Sequence, residues 1–228
     1  MRYPVRPEDY TRWRASPVGA LTEPLEQEAI FYLAGDLRGR RVLDIGCGDG
    51  TYSIAACKLG AHVIGVDLSA AMLETARHRA EDCPRTIRWC LASAGSLPFD
   101  PETFDIVIAV TAFCFVEVPR RAVLEVGRVL RPGGRLIIGE LGRYSLWALS
   151  RRIRGWFGAS PWREARFWTI SGLRQLVEQA DLRAHSARGC VYYPPVEPAA
   201  RIMEKADHAL SRLGSAGAAF LALRADKV

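Results

Sequence analysis

Apolar and polar positions along this chain switch between a helical and a strand period. Between residues 22 and 37, Leu25, Ala29, Ile30, Leu33 and Leu37 share one helical face, and Gly39 closes the helix. Residues 41–45 form a first short strand, and 61–66 a second that ends at Asp67. Ser69 is placed to cap a helix over 70–80. Residues 86–91 read as a third strand. The fourth, 104–111, is nearly all apolar and therefore buried on both faces. A helix over 119–130 starts at a proline, and Pro132-Gly133-Gly134 turns the chain into a fifth strand over 135–140. A helix over 171–180, a strand near 184–192, a helix near 198–213 and a strand near 218–224 complete the series. This alternation predicts an α/β protein with a parallel sheet covered on both faces. Residues 141–169 do not follow it.

The first strand runs into Asp44-Ile45-Gly46-Cys47-Gly48-Asp49-Gly50, three glycines at alternate positions ahead of an amphipathic segment. Glycine reaches positive φ and lets backbone press against a ligand. A strand, such a turn and a helix N-terminus together cradle a nucleotide-like ligand. A dinucleotide turn of the form Gly-x-Gly-x-x-Gly needs glycine at 51, where this chain has Thr51. Asp67, at the end of the second strand, is placed to accept both ribose hydroxyls of a nucleoside. Its alternative role is a turn aspartate that caps the next helix.

The pattern Asp-x-Gly-x-Gly-x-Gly resembles the first motif of class I S-adenosylmethionine (SAM) methyltransferases. Asp67-Leu68-Ser69 with Met72, the stretch 93–99, Phe104-Asp105 and 128–134 resemble that family's later motifs, in its order and roughly its spacing. The variant looks like the subgroup that includes ubiquinone and menaquinone C-methyltransferases. The resemblance implies a Rossmann-like, doubly wound sheet of seven strands, mostly parallel, with the last inserted antiparallel. It implies SAM as cofactor, with S-adenosylhomocysteine as product, and one methyltransferase domain over 1–228. An N-terminal cap over about 1–38 and a lid insertion over about 141–169 would complete it. Gly46, Cys47, Gly48 and Gly50 would hold the cofactor, Leu68 and Met72 would flank its adenine, and Asp44 would help position its methionine part. Many relatives carry Asp where this chain has Ser93. An uncharged acceptor makes that contact to the adenine amino group weaker and shifts recognition toward backbone near Ala94. Thr111, at the end of the fourth strand, closes the cofactor set.

On the acceptor side, Phe113 and Phe115 stand where relatives often have polar residues. They read as pocket wall or as core, and as pocket wall they make the acceptor site apolar. Methyl transfer from a sulfonium is an in-line displacement that alignment can accelerate without a base. A base is needed only when the acceptor atom must lose a proton, and Glu140 and Tyr144 are the candidates. His185 falls on a late strand; His62, His78 and His208 read as surface helix or turn positions.

Residues 143–168 hold four of the six tryptophans and six arginines against one acid, Glu164. Leu146, Leu149, Ile153, Trp156 and Phe157 share a helical face, with Arg151, Arg152 and Arg154 pointing elsewhere. Three readings stand: a lid covering an apolar acceptor, an interfacial helix on an anionic membrane, or a packed helix with solvated arginines. Tyr10 and Trp13 would supply the other wall of the pocket.

Composition adds limits. Hydrophobic residues at 49% and charged residues at 25% describe a globular chain. No apolar run reaches a membrane span, and the first residues lack a signal peptide's apolar stretch, so a cytoplasmic protein is expected. The six scattered cysteines form no Cys-x-x-Cys pair and read as reduced core residues with no metal. A net charge of +6 permits an anionic partner. An RNA methyltransferase is therefore a rival to a small, mainly apolar acceptor. No appended RNA-binding module, and no Asn-Pro-Pro-Tyr-like or Pro-Cys motif after the fourth strand, supports it. A SAM-binding protein without catalysis is the other rival.

Overall fold

Residues 6–84, 86–157 and 165–228 are described by the computed structural model. Seven strands form one sheet: β1 Arg41–Ile45, β2 His62–Asp67, β3 Arg88–Leu91, β4 Phe104–Val110, β5 Leu130–Leu141, β6 Leu182–Cys190 and β7 Phe220–Lys227. Their order is β3-β2-β1-β4-β5-β7-β6. The pairs from β3 to β5 are parallel, and β7 runs antiparallel to both β5 and β6. Eight helices accompany them among the described residues: α1 Pro7–Ala15, α2 Pro17–Ala34, α3 Thr51–Lys58, α4 Ala70–Arg79, α5 Pro119–Val129, α6 Leu146–Phe157, α7 Ile170–Glu178 and α8 Glu197–Leu213.

The two faces of the sheet carry two cores. Leu43, Ile45, Val107, Ala109, Leu136 and Ile138 pack against α5 and α7 on one side. Val42, Ile106, Ile108 and Ile137 pack against α2 and α3 on the other. Alternate residues of each strand thus serve opposite layers, as the pleat requires. β4 is buried along its whole length because it has a neighbour on each side and a helical layer on each face.

Several boundaries differ from those expected. The N-terminal helical region starts earlier and is two helices. Ser16 breaks it, and its Oγ accepts from Gly19 N at 3.1 Å to cap α2. Gly35, at φ 70°, ends α2 sooner than Gly39 would. The Pro-Gly-Gly segment lies inside β5, where the register with β4 breaks between Phe104 and Ile106. An irregular strand accommodates the turn residues there. His62 opens β2 and is exposed, where a helix or turn position was expected.

Residues 141–169 hold α6. Its apolar stripe faces outward. Leu146, Leu149 and Ile153 are 53%, 54% and 42% exposed, whereas Trp147 and Ala148 are 7% and 1% exposed. Arg151 turns inward with them and Arg152 turns out. Trp147 Nε1 donates to Tyr193 O at 2.8 Å, which fixes which side faces down. Periodicity locates an apolar stripe; it does not say which side the rest of the protein covers.

Candidate active site

The carboxyl ends of β1, β2 and β4 meet at the reversal of strand order, where open α/β sheets bind ligands. Gly46, Gly48 and Gly50 all have positive φ, at 65°, 52° and 83°. Their reasons differ. A Cβ on Gly46 would meet Ala112 Cβ at 2.8 Å, and one on Gly50 would meet the Trp89 ring at 2.8 Å. A Cβ on Gly48 would meet nothing within 4 Å. Gly46 and Gly50 therefore let the turn pack, and Gly48 borders open space. That open cradle of backbone, followed by the N-terminus of α3, fits a nucleoside ligand carrying a charged tail.

Asp67 is buried beside this turn. Its Oδ2 accepts from Gly48 N at 2.9 Å and its Oδ1 from Ser69 N at 2.8 Å. The carboxylate thus makes the turn bond ahead of α4 and also grips the glycine turn. Leu68 is exposed at the edge of the site, while Met72 is buried in the α4 packing. Ser93 Oγ accepts from Gly95 N at 3.2 Å, beside Ala94 in the loop after β3. Cys47 N donates to Val66 O at 3.0 Å, which ties the turn to β2.

Asp44 is buried beneath the turn, where its Oδ2 accepts from Ser53 Oγ at 2.6 Å. Burial pushes its carboxyl up to about 7, with the nearby Asp67 charge adding to the shift. Asp49 is buried as well, and is held by the Arg14 guanidinium and by Arg79 Nη1 at 2.8 Å. Arg14 belongs to α1, so the N-terminal helix is clasped onto the glycine turn. The pairing of Arg14 and Arg79 with Asp49 is not readable from sequence; only proximity in space connects them.

Thr111 ends β4 at φ 47°. A β-branched residue there is strained, by an order of 1–3 kcal/mol. Its backbone N donates to Gly139 O at 2.7 Å, and its Oγ1 shares a hydrogen bond with Tyr10 OH at 3.1 Å. The α1 helix thus reaches both the glycine turn, through Arg14, and the β4 end, through Tyr10. Trp13 packs edge-on against Tyr10, with centroids 6.3 Å apart. Burial raises the Tyr10 hydroxyl pKa far above its usual value and keeps it protonated.

The remaining acceptor-side candidates separate. Phe113 is part of the α5/α7-side core, which corrects its placement as pocket wall; Phe115 is partly exposed. Glu140 is sealed at the end of β5, where Oε1 accepts from Phe113 N at 2.7 Å and Oε2 has no hydrogen-bond partner among the described residues. Burial pushes its carboxyl up to about 8. Tyr144 is 73% exposed and lines an outer groove of about 510 Å³ with Leu146, Leu149 and Arg152. Glu140 and Tyr144 are therefore not brought together, one being inside the core and the other on the outer surface. The side chains of Trp156 and Phe157 lie outside the described residues.

Glu26, Tyr52 and Arg151 lie deep in the protein within electrostatic reach of Tyr10. Glu26 escapes sequence reading because it sits within an ordinary amphipathic helix, and Arg151 because its helix is turned over.

A Rossmann-like sheet with an antiparallel seventh strand, a glycine turn and an acidic residue ending β2 defines a class of proteins that bind SAM. A methyltransferase domain family model matches residues 43–138. The chain is 31% identical over 164 residues to the ubiquinone biosynthesis O-methyltransferase of Idiomarina loihiensis, covering 69% of this chain and 68% of that one. It is 42% identical over 102 residues to the demethylmenaquinone methyltransferase of Clavibacter sepedonicus, covering 45% and 41%. A SAM-dependent methyltransferase structure from Thermotoga maritima matches with a TM-score of 0.71 at 26% identity, covering 97% of this chain and 95% of that one. The chain belongs to the class I SAM-dependent methyltransferases, and its methyl donor is SAM.

Proposed function

We propose that this protein moves the methyl group of SAM to a small, mainly apolar acceptor derived from a lipid or an isoprenoid. The observation that carries this reading is the outward apolar stripe of α6 (Leu146, Leu149, Ile153), flanked by exposed Arg143, Arg152 and Arg154 beside the groove at Tyr144. Such a surface suits an anionic membrane interface from which an apolar acceptor is drawn. The relatives named for ubiquinone and menaquinone steps support the same acceptor class. No helix among the described residues is long and apolar enough to cross a membrane, so the contact is peripheral.

In this reading residues 141–169 are the lid and residues 1–38 the cap. The Gly46–Gly50 turn and Asp44 hold the methionine end. Asp67, at the end of β2, accepts the ribose hydroxyls. Leu68 and Met72 bound the adenine, and Ser93 with Ala94 meets its amino edge. Tyr10, Trp13, Thr111 and Phe115 surround the methyl position. When bound, SAM supplies an activated methyl carbon on a sulfonium. The protein's part is to align the acceptor with that carbon and to exclude water.

Purified protein given labelled SAM and total cell extract tests this reading. Label in the organic-soluble fraction is expected. Label confined to RNA, which the net charge of +6 would suit, would overturn the acceptor class in favour of the RNA rival.

A further inference from the structure

Glu26 is not needed by anything described so far, and its position is specific. On α2, Thr22, Glu26 and Ile30 are successive positions of one face. At the upper end, Thr22 Oγ1 and Tyr193 OH share a hydrogen bond at 3.1 Å. Trp147 Nε1 donates to Tyr193 O at 2.8 Å, and the Arg151 guanidinium lies 5.1 Å from the centroid of Trp147. At the lower end, Ile30 Cδ1 packs where a Cβ on Gly139 of β5 would fall, at 2.8 Å. Glu26 is therefore held between Arg151 above and the last residues of β5 below, level with the carboxyl edge of the sheet. Tyr10 and Tyr52 both feel its charge, and Tyr10 reaches Thr111 at the end of β4. Tyr52 OH is buried without a hydrogen-bond partner among the described residues. An orphaned hydroxyl at this spot is free to bond an incoming polar group. Glu26 itself is deep but keeps accessible surface, as a group lining a cleft does.

We propose that Glu26 is the general base of the methyl transfer and that the acceptor atom is the oxygen of a weakly acidic hydroxyl on an apolar body. This rests on the acceptor reading given above. The acceptor oxygen forms its bond to the methyl carbon as the carbon–sulfur bond breaks. The electron pair of that bond stays on sulfur, which leaves as the neutral thioether of S-adenosylhomocysteine. The hydroxyl proton passes to the Glu26 carboxylate and then to water. Arg151 faces the carboxylate from α6, Tyr10 from α1, Tyr52 from α3, Cys190 from the end of β6 and Tyr193 just beyond it, with Glu23 on its own helix. Burial pushes Glu26 up to about 8, with Glu23 adding and Arg151 opposing. A base matched to neutral working pH results. Its active form is the deprotonated one, so kcat/KM rises with pH up to about 8 and then levels.

The test uses the full chain, SAM and two probes: a catechol bearing one isoprenyl chain, and its ring-nitrated analogue whose hydroxyl is already ionised at neutral pH. Glu26→Gln is expected to cut kcat/KM for the plain catechol by roughly 10²–10⁴-fold. It should remove the rising pH limb, cost the nitrated probe much less, and leave S-adenosylhomocysteine affinity by calorimetry unchanged. Glu26→Asp should recover part of the rate with its pH limb. Equal losses on both probes, or a retained pH limb in Glu26→Gln, would overturn the proposal and leave Glu26 as a clamp for α6. Parent protein that methylates a prenylated ring carbon but no hydroxyl would also overturn it, while the apolar-acceptor reading stands. Parent protein that methylates neither, yet labels RNA, would remove both.

Discussion

The glycine turn over residues 44–50 and the α6 helix over residues 146–157 respond differently to the same physics. In the turn, each constraint is local. Gly48 borders open space, Gly46 and Gly50 escape clashes, and Asp67 reaches back to the Gly48 amide. In α6 the amphipathic pattern is equally plain, yet its apolar stripe faces outward and its Arg151 faces inward. A turn is specified by backbone geometry within a few residues. A helix is oriented by whatever lies beneath it, here Tyr193 and α2. A turn is thus legible where the orientation of a docked helix is not.

The comparison can be tested from the cofactor side first. Asp67→Ala should weaken S-adenosylhomocysteine binding by roughly 1.5–3 kcal/mol, the scale of hydrogen bonds to a charged group. Because Asp67 also holds two backbone amides, thermal stability should fall with affinity. A folded variant with full affinity in calorimetry would place the ribose elsewhere. Gly48→Ala should cost binding through the Cβ it puts into the cradle, and stability by about 1–2 kcal/mol from its positive φ. Unchanged affinity would mean that the ligand does not approach Gly48.

At the sealed end of β5, Glu140 carries a cost that changes with pH. Its carboxyl is raised to about 8 by burial, against a usual value of 4.5. Between those values the folded protein keeps a proton that the unfolded chain releases, so stability falls as pH rises from about 4.5 to about 8. Glu140→Gln keeps an acceptor for the Phe113 amide and removes that slope. It should raise stability at pH 8 by a few kcal/mol more than at pH 5, because each pH unit between 4.5 and 8 contributes up to about 1.4 kcal/mol. Denaturant unfolding at the two pH values measures it; an equal change at both would show that ionisation is not the cause.

The smallest expected effects concern the outer face of α6. Arg152→Ala and Arg154→Ala should each weaken binding to anionic vesicles by about 1 kcal/mol. Arg151→Ala should leave vesicle binding almost unchanged, since it points inward. Equal losses for all three would mean that the helix turns over at a membrane.

Much of this was open to reading in the chain itself. The strand and helix alternation, the buried β4, the Ser69 cap and the Asp44–Gly50 turn follow from periodicity, from glycine's freedom at positive φ and from side chains that reach only three residues. The antiparallel seventh strand was expected from resemblance, not from periodicity. What the tertiary structure alone decided lies where distant segments meet. α1 is clasped to the turn by Arg14 and Asp49, 35 positions apart. Tyr10 meets Thr111 across 101 positions. Phe113 sinks into the core and Tyr144 stays out, although both sit near the ends of neighbouring strands. Glu26 on α2 meets Arg151 only because α6 packs over it. Sequence encodes which groups can pair; the packing of α1, α2 and α6 over one sheet edge determines which of them do.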